Sequence, residues 1–208
     1  MIFLQSHKID TMNADLYIDR IDILKYLPMK DCYECGYSCK EFSEKLKKNP
    51  EIIDRCPYLN ARYKEFLKIA VNADKVLPKV PVIPSTVKTK TGLIKGDENT
   101  PILVTANYPY TQMVIGEVLA KAGINCNLLI IDTDGYAVDM AVYLKIFNGE
   151  RVRDAIKELT DSSKKILVIP GLAEEFKDDI EKKTGWKVIV GPICAAEIPI
   201  FLLSNGLI

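Results

Sequence analysis

The chain has 208 residues, 48% hydrophobic and 27% charged, and its 28 basic residues balance its 28 acidic ones. That length accommodates one domain of average size plus a small one, and the charge balance leaves no electrostatic footprint for nucleic acid or an anionic membrane. The longest apolar stretch, 188–203, is broken by Gly191, Pro192, Glu197 and Pro199, which makes it too short and too interrupted to span a bilayer.

In chain order, the opening residues include His7, Lys8, Asp10, Asp15 and Asp19 and carry no long apolar core, so they do not read as a secretory leader. Then comes the most specific motif of the chain, Cys32-x2-Cys35-Gly36-x2-Cys39-x16-Cys56-Pro57. Three thiolates within eight residues can wrap one face of a compact metal centre, and a fourth from a nearby loop closes it. This suits a [4Fe–4S] cube, in which each iron takes one thiolate. Two alternatives stand beside it. A structural zinc site also takes four thiolates, more often as two separated C-x2-C hairpins, and a disulfide pair needs an oxidising compartment. Free thiols and a cluster motif together point to a reducing cytoplasm. Cys126 and Cys194 lie in apolar runs and read as small buried hydrophobes.

Ser38 and Glu41 form a capping box, so a helix should begin at Cys39 with Phe42 and Leu46 on one face, directing its first N–H groups toward the cluster. Asn49-Pro50 opens a short helix ending near Cys56. Ala61, Tyr63, Phe66, Leu67 and Ala70 mark a third helix that ends before Pro78. So small a unit buries too little surface to be stable alone, and cluster binding should supply much of its folding energy. Residues 77–100, with Pro78, Pro81 and Pro84, hold no sustained periodicity and read as a linker, with 80–83 a short edge strand; a partly ordered extension of the following domain is the alternative.

From residue 101 the pattern is regular. Apolar runs at 102–105, 128–131, 166–169 and 188–190 suit buried parallel strands, and helical patterns fall near 110–122, 136–146, 150–159, 173–183 and 195–203. The fold class is therefore α/β, a small helical domain (1–76), a linker (77–100) and a parallel-sheet domain (101–208). Ligands of such sheets bind beyond the carboxyl ends of the strands, here the loops 106–111, 132–135, 170–171 and 191–197. No dinucleotide or P-loop glycine motif is present, and His7 is the only histidine, which argues against a Ser-His-Asp triad. Asp132 and Asp134 could work as an acid–base pair, but an Asp at a strand-to-helix junction is more often a helix cap.

The segment from Asp22 to Phe42, ending in Cys56-Pro57-Tyr58-Leu59, resembles the N-terminal cluster domain of the corrinoid iron–sulfur protein large subunit, the gamma subunit of acetyl-CoA decarbonylase/synthase. The stretches from Pro101 to Thr111, Leu128 to Gly135, Val168 to Gly171 and Gly185 to Pro199 resemble that subunit's corrinoid-binding domain. The resemblance implies a Rossmann-like domain and a cobamide held without a protein histidine on cobalt. It implies that Thr105, Asn107 and Thr111 hydrogen-bond the corrin side chains, while Gly135, Tyr136, Ala137, Val138 and Ala195 present backbone and small surfaces to the macrocycle. The family's central TIM barrel has no room in the linker, since a barrel takes roughly 200 residues or more. The implied function is methyl transfer or reductive activation of cobalt in one-carbon metabolism, the protein acting as methyl carrier or electron-transfer component. Its implied partners are a barrel-type methyltransferase or corrinoid protein small subunit and a redox partner, and its tether lets the cluster approach the corrin and withdraw. The alternative is an electron-transfer or partner-docking module that binds no corrinoid.

Overall fold

The computed structural model describes residues 11–13, 17–81, 86–157 and 165–208. A short strand, β1 (Thr11–Asn13), pairs antiparallel with β2 (Lys79–Pro81), bringing together the two ends of a helical region. The edge strand expected at 80–83 is thus realised up to Pro81, against the N-terminal segment; residues 82–83 and Pro84 lie outside the described residues, as do His7, Lys8, Asp10 and Asp15.

Within the helical region local chemistry decides the element boundaries. Helix α1 (Cys39–Lys48) starts at a complete capping box: the Ser38 hydroxyl accepts the Glu41 N–H and the Glu41 carboxylate accepts the Ser38 N–H at 2.9 Å. Phe42 and Leu46, one turn apart, are both buried. Asn49 caps the 3-10 helix Pro50–Arg55, and Asn60 caps α2 (Ala61–Val71) by accepting the Tyr63 N–H at 2.8 Å. A single turn, α3 (Ala73–Val76), closes the region before Pro78.

The second region is built on a five-stranded sheet of β3 (Gly92–Ile94), β4 (Ile102–Ala106), β5 (Asn127–Ile131), β6 (Ile166–Ile169) and β7 (Lys187–Val190), in the order β3-β5-β4-β6-β7. β4 to β7 run parallel, as expected, while β3 is antiparallel to β5. Residues 77–100, expected as a linker, therefore contribute an edge strand; three residues are too few to imprint a period on the sequence. The helices are α4 (Pro109–Lys121), α5 (Val138–Tyr143), α6 (Gly149–Ile156), α7 (Lys177–Thr184) and α8 (Ile198–Ser204). Strand alternation sorts the core by face: Ile102, Val104, Leu129 and Ile131 pack with Phe147, Val152 and Ile180, whereas Leu103, Leu128 and Ile130 pack under Ile115, Leu119 and Leu202. Every residue of β4 is buried, which is why these strands read as apolar runs without alternation. The helices foreseen over 173–183 and 195–203 each begin as a 3-10 turn, Gly171–Phe176 and Ala195–Glu197. The pattern at 136–146 gives only α5, and that at 150–159 gives α6, with 158–164 outside the described residues. No described helix is long and apolar enough to cross a membrane.

One apolar cluster joins the two regions: Phe42, Phe66, Leu67 and Cys56 belong to the same packed set as Val114, Val118, Cys194, Ala196 and Ile200. Across this seam the Tyr26 hydroxyl donates to Glu197 Oε1 at 3.0 Å, and Lys25 Nζ lies 2.6 Å from the same oxygen. Glu197 is 1% exposed. Burial, then the Glu197 charge, raises the Tyr26 phenol above its ordinary value of 10. A phenol raised on folding stabilises fully below the unfolded value and loses that contribution as pH climbs above about 10. Tyr26→Phe should therefore cost about 1–2 kcal/mol at pH 7 in urea unfolding, and its deficit relative to the parent should shrink above pH 10. A pH-independent deficit would contradict this linkage.

Candidate functional site

The cysteine loop is shaped by backbone conformations that residues with a Cβ seldom adopt. Met29, Asp31 and Tyr33 have φ of 53°, 43° and 59°, and Gly36 has φ of 87° where its N–H donates to the Tyr33 carbonyl at 2.8 Å. Cys32 is exposed, Cys35 and Cys39 are half-buried, and Cys56 is buried. Three of the four are also electrostatically coupled. Burial pushes the Cys56 thiol up, the charges of Cys35 and Cys39 act on it in the same direction, and the backbone N–H groups of Tyr58 and Leu59 pull it down. The Tyr58 phenol, which donates to Glu34 at 2.7 Å, also feels Cys32 and Cys56. Among the described residues no three His, Cys, Asp or Glu side chains gather tightly enough for a single metal ion. A cube instead binds each thiolate to a different iron and needs a wider frame, so a soft four-thiol set from one loop and one helix end fits it.

One expectation about this loop is corrected. Glu41 N–H goes to Ser38, and Cys39 N–H donates to Asp31 Oδ1 at 2.6 Å, so these two amides of the first turn of α1 do not face the thiols. Asp31 was missed because its partner lies eight residues away, beyond any capping pattern.

At the carboxyl ends of the parallel strands the geometry separates residues that the sequence grouped. Asn107 is 2% exposed, and its amide staples two loops together. Its Nδ2 donates to Asp132 Oδ1 at 3.0 Å, while its Oδ1 accepts the Thr133 N–H, the Thr133 hydroxyl and the Gly135 N–H at 2.9, 2.9 and 3.1 Å. Its side chain is thus occupied within the protein. Thr105 is fully buried, and its Oγ1 is, among the described residues, a buried side-chain oxygen with no partner. Gly135 and Val138 are buried, whereas Thr111, Tyr136, Ala137 and Ala195 are half-buried and reachable. The loops at 170–171 and 191–197 knit to each other: Gly171 N–H donates to the Pro192 carbonyl at 3.0 Å, and a Cβ at Gly171 would meet Gly191 O at 2.8 Å.

Asp132 and Asp134 are not helix caps. Ala137 occupies the N-cap of α5, and Asp132 Oδ1 instead accepts the Asp134 N–H at 2.9 Å across a turn in which Asp134 has φ of 56°. Both carboxylates join an ion network. Arg151 reaches Asp132 at 3.1 Å and Asp134 at 3.0 Å, and Lys88 reaches Asp134 at 2.9 Å. The Lys88 hydrogen bond and the Arg151 charge hold the Asp134 carboxyl below its usual range, leaving it no proton to donate near neutral pH. Lys88 and Arg151 were not singled out from sequence, and Glu197 was read only as a break in an apolar stretch and the end of a strand-end loop; each meets its partner only through the fold.

Comparison with known proteins places both parts of the chain. A family model described as "CO dehydrogenase/acetyl-CoA synthase delta subunit" matches residues 60–202, and one described as "Putative Fe-S cluster" matches 27–58. The chain is 44% identical over 115 residues to the acetyl-CoA decarbonylase/synthase complex subunit gamma of Methanopyrus kandleri, covering 54% of this chain and 25% of that protein. The corresponding subunit of Methanothermobacter thermautotrophicus is 38% identical over 109 residues, 51% of this chain and 24% of its own. Subunit gamma 2 of Methanosarcina thermophila is 35% identical over 133 residues, 62% of this chain and 28% of its own. The matches thus cover about a quarter of the length of these relatives.

Proposed function

Because the chain belongs to the CO dehydrogenase/acetyl-CoA synthase delta subunit family, we propose that it is an iron–sulfur protein that binds a corrinoid and supports methyl transfer or reductive activation of cobalt in one-carbon metabolism. The observation that carries the proposal is the pairing, in one chain, of the four-thiol loop within the iron–sulfur match at 27–58 and the α/β region within the match at 60–202. When bound, a thiolate-ligated cluster supplies single electrons at low potential and a corrinoid carries the methyl group on its metal. Cys32, Cys35, Cys39 and Cys56 hold the cluster. Thr111, Tyr136, Ala137 and Ala195 offer a hydroxyl and small or flat surfaces to the macrocycle, while Thr105, Asn107, Gly135 and Val138 support them from beneath.

The seam makes a route between the two centres, since Cys56 and the Cys194–Ala196 loop belong to one packed cluster. A redox partner docks beside the cysteine loop, where Met29, Tyr33 and Tyr58 are exposed. A barrel-type methyltransferase or corrinoid protein small subunit covers the open face, because residues 77–100 are far too few for the roughly 200 or more of a barrel. Six free cysteines suit a reducing cytoplasm.

A second reading, an electron-transfer or docking module without a corrinoid, is favoured by one observation: the Asn107 side chain is occupied internally and Gly135 is covered by chain. The two separate when anaerobically purified, cluster-reconstituted protein is mixed with cobalamin and gel-filtered. A retained corrin with a base-off spectrum supports the corrinoid reading. An intact cluster eluting without corrin leaves the second.

A further inference from the structure

Residues 86–90 cross the carboxyl ends of β4 and β5 before the chain enters β3. Val87 N–H donates to the Gly135 carbonyl and Thr89 N–H to the Asn107 carbonyl, each at 3.0 Å. Gln112 Nε2 reaches Thr89 Oγ1 at 2.6 Å and the Ala106 carbonyl at 3.1 Å. The crossing is close: a Cβ at Gly135 would lie 2.9 Å from the backbone of Val87 and Lys88. Yet the segment buries little of itself, for residues 86, 87, 88 and 90 are exposed. Two backbone bonds, one side-chain bond and the Lys88 ion pairs with Asp134 and Asp132 tie it down, and those pairs join groups more than a third exposed, where such contacts contribute little. Segments with few apolar contacts and solvent-facing bonds open at low cost.

The charges beneath keep the cost of such opening low. Arg151 already pairs with both Asp132 and Asp134, so departure of Lys88 leaves neither carboxylate without a cation. What departure does release is two backbone acceptors, Gly135 O and Asn107 O, at the strand-end loops where ligands of parallel sheets bind.

We propose that residues 86–90 are a strap that opens and closes over the strand-end loops, and that opening presents the carbonyls of Gly135 and Asn107 to a ligand rim bearing N–H donors, such as the primary amides around a corrin. The second clause rests on the corrinoid reading; the first does not. Hydrogen exchange on the reconstituted full chain tests both. The amides of Val87 and Thr89 should exchange about tenfold or more faster than those of β5, through local opening. Lys88→Ala should accelerate them a further two- to fivefold or so, with β5 unchanged. Exchange at Val87 and Thr89 in step with β5 in both proteins would overturn the strap. With cobalamin retained, the two amides should exchange faster still, and unchanged rates would overturn the ligand clause. Failure to retain cobalamin would count against the corrinoid reading, while the exchange of the two amides still decides whether the strap moves.

Discussion

Serine at any one of Cys32, Cys35, Cys39 or Cys56 is expected to strip reconstituted protein of most of its iron and acid-labile sulfide, whereas alanine at Cys126 or Cys194 leaves both in place. The contrast follows from position. The first four thiols come from one strained loop, the first residue of α1 and the turn after the 3-10 helix Pro50–Arg55, and the charges of Cys35 and Cys39 act on Cys56. Cys126 is buried against the sheet and Cys194 in the seam, at 6% and 0% exposure, each packed in an apolar cluster. Of the four, Cys56→Ser should cost most in folding, because it places a hydroxyl in a buried site and also removes the ligand that ties the end of the 3-10 helix to the loop. A region this small draws much of its folding free energy from its metal centre, so the variants should also lose cooperative unfolding of α1 and α2 as followed by circular dichroism. Iron retained in all four serine variants, or zinc with no labile sulfide in the parent, would defeat the cluster assignment.

Asn107→Ala is expected to lower stability by about 2–4 kcal/mol whether or not a ligand is present, while Thr111→Ala stays within about 0.5 kcal/mol of the parent. Truncating Asn107 leaves the buried N–H groups of Thr133 and Gly135 without their acceptor and releases Asp132 from its donor. Thr111, half-buried in the first turn of α4, has no such duty. If corrin binds as proposed, Thr111→Ala should weaken it with little change in the urea midpoint, and Asn107→Ala should weaken both. An Asn107→Ala protein as stable as the parent would mean that the staple is not structural.

Much of the fold was legible in the chain alone. Element types were legible because their causes are local: Ser38 with Glu41, Asn49 with Pro50 and Asn60 each start a helix through contacts spanning two or three residues. The strands were legible because a strand covered on both faces must be apolar throughout, as β4 is. The iron–sulfur segment was legible because iron chemistry constrains both residue type and spacing, and the match at 27–58 spans the four cysteines of the motif, the fourth near its end. The strand-end loops were found as a place, since topology alone puts them there, but the roles within them were not. An asparagine that binds a ligand and one that staples two loops have the same neighbours in sequence.

The amino-acid order by itself determined which segments become helix or strand, and that a parallel sheet follows a small helical region, because each rests on short-range spacing or on the period of apolar residues. Only the tertiary structure decided that Tyr26 meets Glu197 across 171 positions, that Lys88 and Arg151 share two aspartates, and that residues 86–90 lie over Gly135. Such contacts arise when whole elements dock and bury their apolar faces, and polar partners brought together that way leave no periodic trace in the chain.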